Sequence, residues 1–108
     1  DTKLIEQVLI NLIKNAQQAM EGRADSHIIL SSKKENNHFM LRVEDNGPGI
    51  SKKVIPEIFI PFYTTKKQGS GIGLSLSKQI MHLHEGTIIV SSESERGTTF
   101  TLKFKINL

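Results

Sequence analysis

The sequence predicts an α+β domain, a two-layer α/β sandwich in which helices cover one face of a mixed, mostly antiparallel sheet. Three observations carry this expectation. An amphipathic helical pattern opens the chain, and a second one occupies residues 71–84. Each is followed by two strand-like runs joined by a turn, in the order α, β, β, short α, loop, α, β, β.

Across residues 3–21, Ile5, Val8, Leu9, Leu12, Ile13, Ala16, Ala19 and Met20 fall on one arc at about 100° per residue. Asn11, Asn15 and Gln18 form a polar stripe at the edge of that arc, and Gly22 is expected to stop the helix. His27–Lys34 and Phe39–Glu44 read as strands joined by a hairpin through Glu35-Asn36-Asn37. The second run does not alternate cleanly, so it is expected to be buried on both faces. Asp45–Ile50 is a Gly/Pro turn. Ser51 is expected to cap one or two helical turns over Lys52–Ile58, where Pro56 fits poorly. After a loop over Ile60–Gly69, Gly71–His84 reads as a second helix with Ile72, Leu76, Ile80 and Leu83 on its apolar side and Gly86 at its end. Thr87–Ser92 and Thr98–Ile106 alternate like strands about a turn at Glu93–Gly97.

A chain of 108 residues makes one domain that can bury a core without disulfides. Apolar content of 37% and charged content of 23% are those of an ordinary globular chain. There is no cysteine, which excludes disulfide staples and thiolate metal sites. No apolar run approaches a membrane span and no signal-peptide pattern opens the chain. It begins at Asp1, within a turn of helical pattern and without an initiator methionine, and reads as a fragment of a longer protein. The net charge of +3 raises the question of nucleic acid. The lysines, however, are scattered as short pairs, and a single tyrosine without tryptophan gives no stacking platform. No nucleic-acid partner and no membrane contact are expected.

Two glycine-punctuated loops carry the chemistry: Asp45-Asn46-Gly47-Pro48-Gly49 and Gly69-Ser70-Gly71-Ile72-Gly73-Leu74. Glycine lets backbone approach a ligand, and the second loop runs into a helix whose free N–H groups favour an anion. It is not a Walker A loop, since no lysine and hydroxyl residue follow, and its spacing is a poor dinucleotide fingerprint. Asp45 could accept from an exocyclic amine, or serve only as an Asx-turn residue. Asn11 and Asn15, one helical turn apart, are costly inside a helix. Asn15 could offer an amide oxygen to Mg²⁺; taken alone, though, the pair reads more simply as helix-edge residues bonded to a neighbouring loop.

The order of these segments is more specific than any one of them. Asn11-Leu12-Ile13-Lys14-Asn15-Ala16, Asp45-x-Gly47-x-Gly49, Phe59-Ile60-Pro61-Phe62 and Gly69-Ser70-Gly71-Ile72-Gly73-Leu74 resemble the N, G1, F and G2 boxes of one family. It is the catalytic and ATP-binding domain of bacterial sensor histidine kinases, within the GHKL ATPase superfamily, and Gly97-Thr98-Thr99-Phe100 resembles its closing signature. The resemblance spans nearly the whole chain and implies the Bergerat fold, with ATP and Mg²⁺ as cofactors. It implies that Asn15 holds Mg²⁺ and that Asn11 and Gln18 line the same pocket. Asp45 would bind the adenine amino group, Gly47, Gly49 and Ile50 would pack along the base, and Thr98 would join the adenine-side water network. Backbone amides of Gly71, Ile72 and Gly73, with Leu74 behind them, would meet the phosphates. The stretch Thr64–Gly69 would be part of an ATP lid, with Lys66 or Lys67 reaching the β/γ-phosphates, and Ser70 of the second glycine loop would also contact the nucleotide.

Asn11 stands where gyrase-type and heat-shock-chaperone members carry a glutamate that activates water. An amide takes no proton at neutral pH, so hydrolysis has no obvious base here. That favours phosphoryl transfer to a histidine on a separate dimerisation domain, with Asn11, Asn15 and Lys66 as catalytic residues and a response regulator as an indirect partner. Pro61-Phe62-Tyr63-Thr64-Thr65-Lys66 looks like the subgroup of nitrogen-regulatory and sporulation kinases. None of His27, His38, His82 and His84 has the acceptor context of a histidine followed by an acid on a dimerising helix. The implied location is the cytoplasm, with a parent kinase that an inner-membrane anchor could hold. A gyrase- or mismatch-repair-type ATPase fragment and a non-catalytic nucleotide-sensing module remain the alternatives.

Overall fold

The computed structural model describes residues 2–60, 73–93 and 95–105. Helix α1 runs over Thr2–Ala19. Val8, Leu12, Ala16 and Met20 recur every four residues and are all buried, with Ile5, Leu9 and Ile13 packed at the shoulders. Hydrogen-bonded turns carry the chain from Met20 to Arg23, and Gly22 takes φ +82° as the expected stop.

Strands β1 (Ile28–Glu35) and β2 (His38–Asp45) pair antiparallel about a two-residue loop, Asn36-Asn37, in which Asn36 adopts φ 54°. Asparagine tolerates that left-handed conformation, which two-residue hairpins require. The helix expected over Lys52–Ile58 shrinks to a 3-10 turn at Ile55–Glu57. Pro56 has no N–H to continue an α-helix. Ser51 contributes its backbone carbonyl, which accepts from Val54 and Ile55, rather than a side-chain cap. Helix α2 (Gly73–Leu83) then leads into β3 (Gly86–Glu93) and β4 (Gly97–Lys105). Residues 71, 72 and 106 of the expected elements lie outside the described residues.

The sheet order is β1-β2-β4-β3, and every described pairing is antiparallel. Directly paired residues share a face, so the register sorts the sheet into rows. Leu30–Val43–Phe100–Val90 and Ser32–Leu41–Leu102–Ile88 form the inward rows. Val43, Phe100, Leu102 and Ile88 in them are buried in one cluster with Val8 and Leu12 of α1 and Ile80 and Met81 of α2. The intervening rows, such as Ile29–Glu44–Thr99–Ser91, face outward. β2 is therefore not buried on both faces as expected: Arg42 is exposed and pairs with Glu44 at 3.4 Å on the open side.

Two expectations for α2 need correction. Its buried face is Ser77, Ile80 and Met81, whereas Leu76 is 40% and Leu83 is 76% exposed. The buried serine hides that face from a count of apolar residues: Ser77 Oγ donates to the Gly73 carbonyl at 2.8 Å, which satisfies its proton within the helix. The left-handed residue that follows the helix is Glu85, at φ 56°, not Gly86. Gly86 is needed for close packing instead, since a Cβ there would lie 2.8 Å from Met81 Cε and 2.9 Å from the Lys103 carbonyl oxygen. Met81 can yield but the β4 backbone cannot. Gly86→Ala is expected to cost about 2 kcal/mol by overpacking. Urea unfolding checks this, and an unshifted midpoint would show that β4 gives way.

Candidate nucleotide-binding site

The row Ile28–Asp45–Thr98–Ser92 lies on the helix-facing side at one end of the sheet. It gathers the carboxylate of the first glycine loop and the threonine of the closing signature. Asp45 Oδ1 accepts from the Gly47 N–H at 2.9 Å. The Asx turn is thus present, and a carboxylate keeps acceptor capacity for further donors. A Cβ on Gly47 would come 3.0 Å from both Asp45 Oδ1 and Met20 Cγ, so glycine lets the loop close against the end of α1 without displacing either side chain.

The loop is tied from outside as well. The Ile50 N–H donates to Ser92 Oγ at 2.7 Å, and the Glu95 N–H donates to the Pro48 carbonyl. Asn46 turns away from the row. Its Oδ1 accepts from the His27 N–H and its Nδ2 donates to the Asp25 carbonyl, both at 2.8 Å. Gly97 is buried with φ +102°, and a Cβ on it would overlap the Asp45 carbonyl oxygen. The closing signature therefore packs directly on the backbone of the residue it helps to position.

The asparagine stripe occupies α1. Asn11 Oδ1 accepts from Gln7 Nε2 at 3.2 Å, and Asn11 Nδ2 reaches Ser77 Oγ at 3.5 Å. Gly73, at the start of α2, has Asn11 as the neighbour its missing Cβ would face. One end of the α1 stripe thus adjoins the α2 N-terminus, while Met20 touches the Asp45 loop. Nine residues at 1.5 Å each separate those points by roughly 13 Å, with half-buried Asn15 between them and exposed Gln18 beyond it.

Asp45, Gly47, Gly49, Ile50 and Thr98 are thus brought together near the C-terminal end of α1, while Asn11, at the middle of that helix, adjoins Gly73 and α2. Leu74, half-buried, packs against the core cluster. Thr64, Lys66, Lys67, Gly69, Ser70, Gly71 and Ile72 lie outside the described residues. Ser77, Ser92, Asn46 and Met20 were not foreseen as site residues. The first three act through hydrogen bonds to residues 66, 42 and 19 or more positions away, which no local pattern reveals. Among the described residues no group of three His, Cys, Asp or Glu could hold a metal ion. At the opposite end of β1, hydrogen bonding to Lys33 and its charge hold the Glu35 carboxyl below the usual carboxylate range. A separate groove beside α2 and β3, lined by Phe59, Lys78, Leu83 and Thr87, contains none of the expected site residues.

The family model described as histidine kinase-, DNA gyrase B-, and HSP90-like ATPase matches residues 1–108. The chain belongs to this family. Membership in an ATPase family identifies the nucleotide as ATP and bears out the resemblance read from the ordered boxes. The chain is 41% identical over 107 residues to the signal transduction histidine-protein kinase AtoS of Escherichia coli. It is 40% identical over 104 residues to sporulation kinase A of Bacillus subtilis, in keeping with the subgroup to which Pro61–Lys66 points. These alignments cover 99% and 96% of the chain but only 17% of the length of each relative. A nucleotide-free form of the catalytic domain of histidine kinase ThkA superposes with TM-score 0.84 at 34% identity, covering 97% of this chain and 68% of that one. The mycobacterial sensor histidine kinase MprB, at TM-score 0.85 and 23% identity, shares the fold, with 97% and 72% covered. The α+β sandwich expected from the sequence is the fold of histidine kinase catalytic domains of this ATPase family.

The described residues fit ATP. Glycine at 47 keeps the loop free of side-chain bulk, and Asp45 and Thr98 offer oxygen acceptors in one row.

Proposed function

We propose that this chain is the phosphoryl-donating domain of a two-component sensor kinase: it holds Mg·ATP and delivers the γ-phosphoryl group to a histidine on a separate dimerisation domain. The observation that carries this is the neutrality of the Asn11 site. Asn11 is a side-chain amide, and its partners Gln7 and Ser77 are neutral as well, so among the described residues no carboxylate is hydrogen-bonded to it as a base for water. Transfer to imidazole does not need such a base, because the acceptor nitrogen brings its own lone pair. Positioning and charge neutralisation then carry the reaction.

In this reading Asp45 accepts from the adenine amino group, with Gly49 and Ile50 along the base. Asn15, with Asn11 and Gln18 beside it on the stripe, offers a neutral amide oxygen of the hard kind Mg²⁺ prefers. The bound ion would supply charge neutralisation at the phosphates. The start of α2 at Gly73 presents backbone N–H groups and the positive end of a helix dipole to them. No described helix is long and apolar enough to cross a membrane, which is compatible with a domain acting in the cytoplasm and passing phosphate on to a response regulator.

Asn15→Ala is expected to remove most of the Mg²⁺-dependent part of nucleotide affinity while sparing the metal-free part. Titrations with and without Mg²⁺ check it, and an identical Mg²⁺ response in variant and wild type would exclude Asn15 as the ligand. The function itself is tested by adding the parent kinase's dimerisation hairpin to this chain with γ-labelled ATP. Acid-labile label on the hairpin is expected. An unlabelled hairpin, with ATP bound, would overturn the proposal.

A further inference from the structure

Ser92 sits at the end of the row that holds Asp45 and Thr98, and three hydrogen bonds converge on its hydroxyl. The Ile50 N–H lies 2.7 Å from Oγ, the Gly97 carbonyl oxygen 2.9 Å, and Thr98 Oγ1 2.9 Å. A serine hydroxyl has one proton to give and two lone pairs to receive with. An amide N–H can only donate and a carbonyl can only accept. All three contacts are satisfied in one arrangement. Ser92 gives its proton to Gly97 and receives the Ile50 N–H on one lone pair. The other lone pair receives the hydroxyl proton of Thr98.

The direction of that last bond matters for recognition. Thr98 is only 6% exposed, so its proton has few places to go. With the proton committed to Ser92, Thr98 turns only lone pairs toward its neighbour in the row, Asp45. A carboxylate likewise only accepts. We propose that Ser92 is a positioning residue that fixes Thr98 as a hydrogen-bond acceptor, so that the site selects a 6-amino purine over a 6-oxo purine. The inference rests on the reading that this row faces the base.

A 6-oxo purine would bring an acceptor to a row of acceptors, and leaving buried polar groups unpaired is what gives such sites their discrimination. Without Ser92 Oγ, the Thr98 hydroxyl is released to turn its proton outward, and the penalty against the oxo group falls. The test is calorimetric binding of Mg·ATP and Mg·ITP to wild type, Ser92→Ala and Ser92→Thr. Wild type is expected to prefer ATP. Ser92→Ala should reduce the ATP-to-ITP affinity ratio by about fivefold or more, the worth of one hydrogen bond. Ser92→Thr, which keeps the hydroxyl on a β-branched side chain suited to a strand, should restore it. In the nucleotide-free protein, the Ile50 amide should lose hydrogen-exchange protection in Ser92→Ala and keep it in Ser92→Thr. Equal weakening of both nucleotides, with the ratio unchanged, would mean that Ser92 merely braces the hairpin and would overturn the inference. Equal affinity of wild type for ATP and ITP would overturn the base-facing reading, and this inference with it.

Discussion

Asp45→Asn is expected to weaken ATP binding by roughly a hundredfold while leaving the fold intact. The reasoning rests on one proton count. In the wild type, Asp45 Oδ1 accepts from Gly47 and the carboxylate still has capacity for the adenine amino group. An asparagine amide has one accepting oxygen and one donating nitrogen. If the oxygen keeps the Gly47 turn, the amide NH₂ faces the ligand's amine, donor against donor. If it rotates to serve the ligand, the NH₂ faces the Gly47 N–H. Either way a charge-assisted bond is lost and a donor is left unpaired, together about 2–4 kcal/mol. Stability should barely move, because asparagine forms Asx turns as readily as aspartate. Calorimetric titration paired with a thermal melt checks both halves. Unchanged affinity would refute the assignment of Asp45, and a large fall in melting temperature would show that its role is structural.

Gly97→Ala should be the most damaging single methyl addition among the described residues, through two separable effects. At φ +102° an L-side chain is strained, and the new Cβ would also overlap the Asp45 carbonyl oxygen and lie 3.2 Å from Asn46 Cα. Those are backbone atoms of a strand end and a tied loop, so neither can move without dragging the nucleotide row. A loss of about 3 kcal/mol or more is expected, a large share of the stability of a domain this size. Gly22→Ala is the matched control. Gly22 has φ +82°, but a Cβ there meets nothing within 4 Å. It should show the backbone strain alone, about 1 kcal/mol. Equal losses in the two variants, measured by denaturant unfolding, would mean that the Gly97 overlap relaxes freely. Gly97→Ala should in addition weaken ATP binding to the fraction that stays folded.

Part of this architecture is legible in the chain itself. The period of Val8, Leu12, Ala16 and Met20 is plain in the sequence, and so is the asparagine stripe beside it, because both depend only on helix geometry. The hairpins follow from their turn residues in the same way. The face of α2 was misread, because Leu76 and Leu83 count as apolar and Ser77 does not, yet Ser77 is the fully buried one. A serine bonded to the carbonyl four residues back is cheap to bury, and no periodicity scale records that. Gly86 looked like a helix stop when its purpose is to let β3 lie against Met81 and β4. The ties from Asn46 to the β1 approach and from Ile50 to Ser92 join segments far apart in sequence. Local residue chemistry singles out the glycine loop proposed to bind the base, but only the folded register shows what holds it still.

One measurement bears most directly on the proposal that this domain holds ATP without a hydrolytic base. The chain alone is incubated with Mg²⁺ and γ-labelled ATP, and label is followed in nucleotide, free phosphate and protein. The expected result is saturable ATP binding with the label retained on the nucleotide. Sustained release of phosphate over many turnovers would contradict it by revealing a base that Asn11, Gln7 and Ser77 do not supply. Acid-labile phosphate on His27, His38, His82 or His84 would contradict it by placing the acceptor on the donor domain itself.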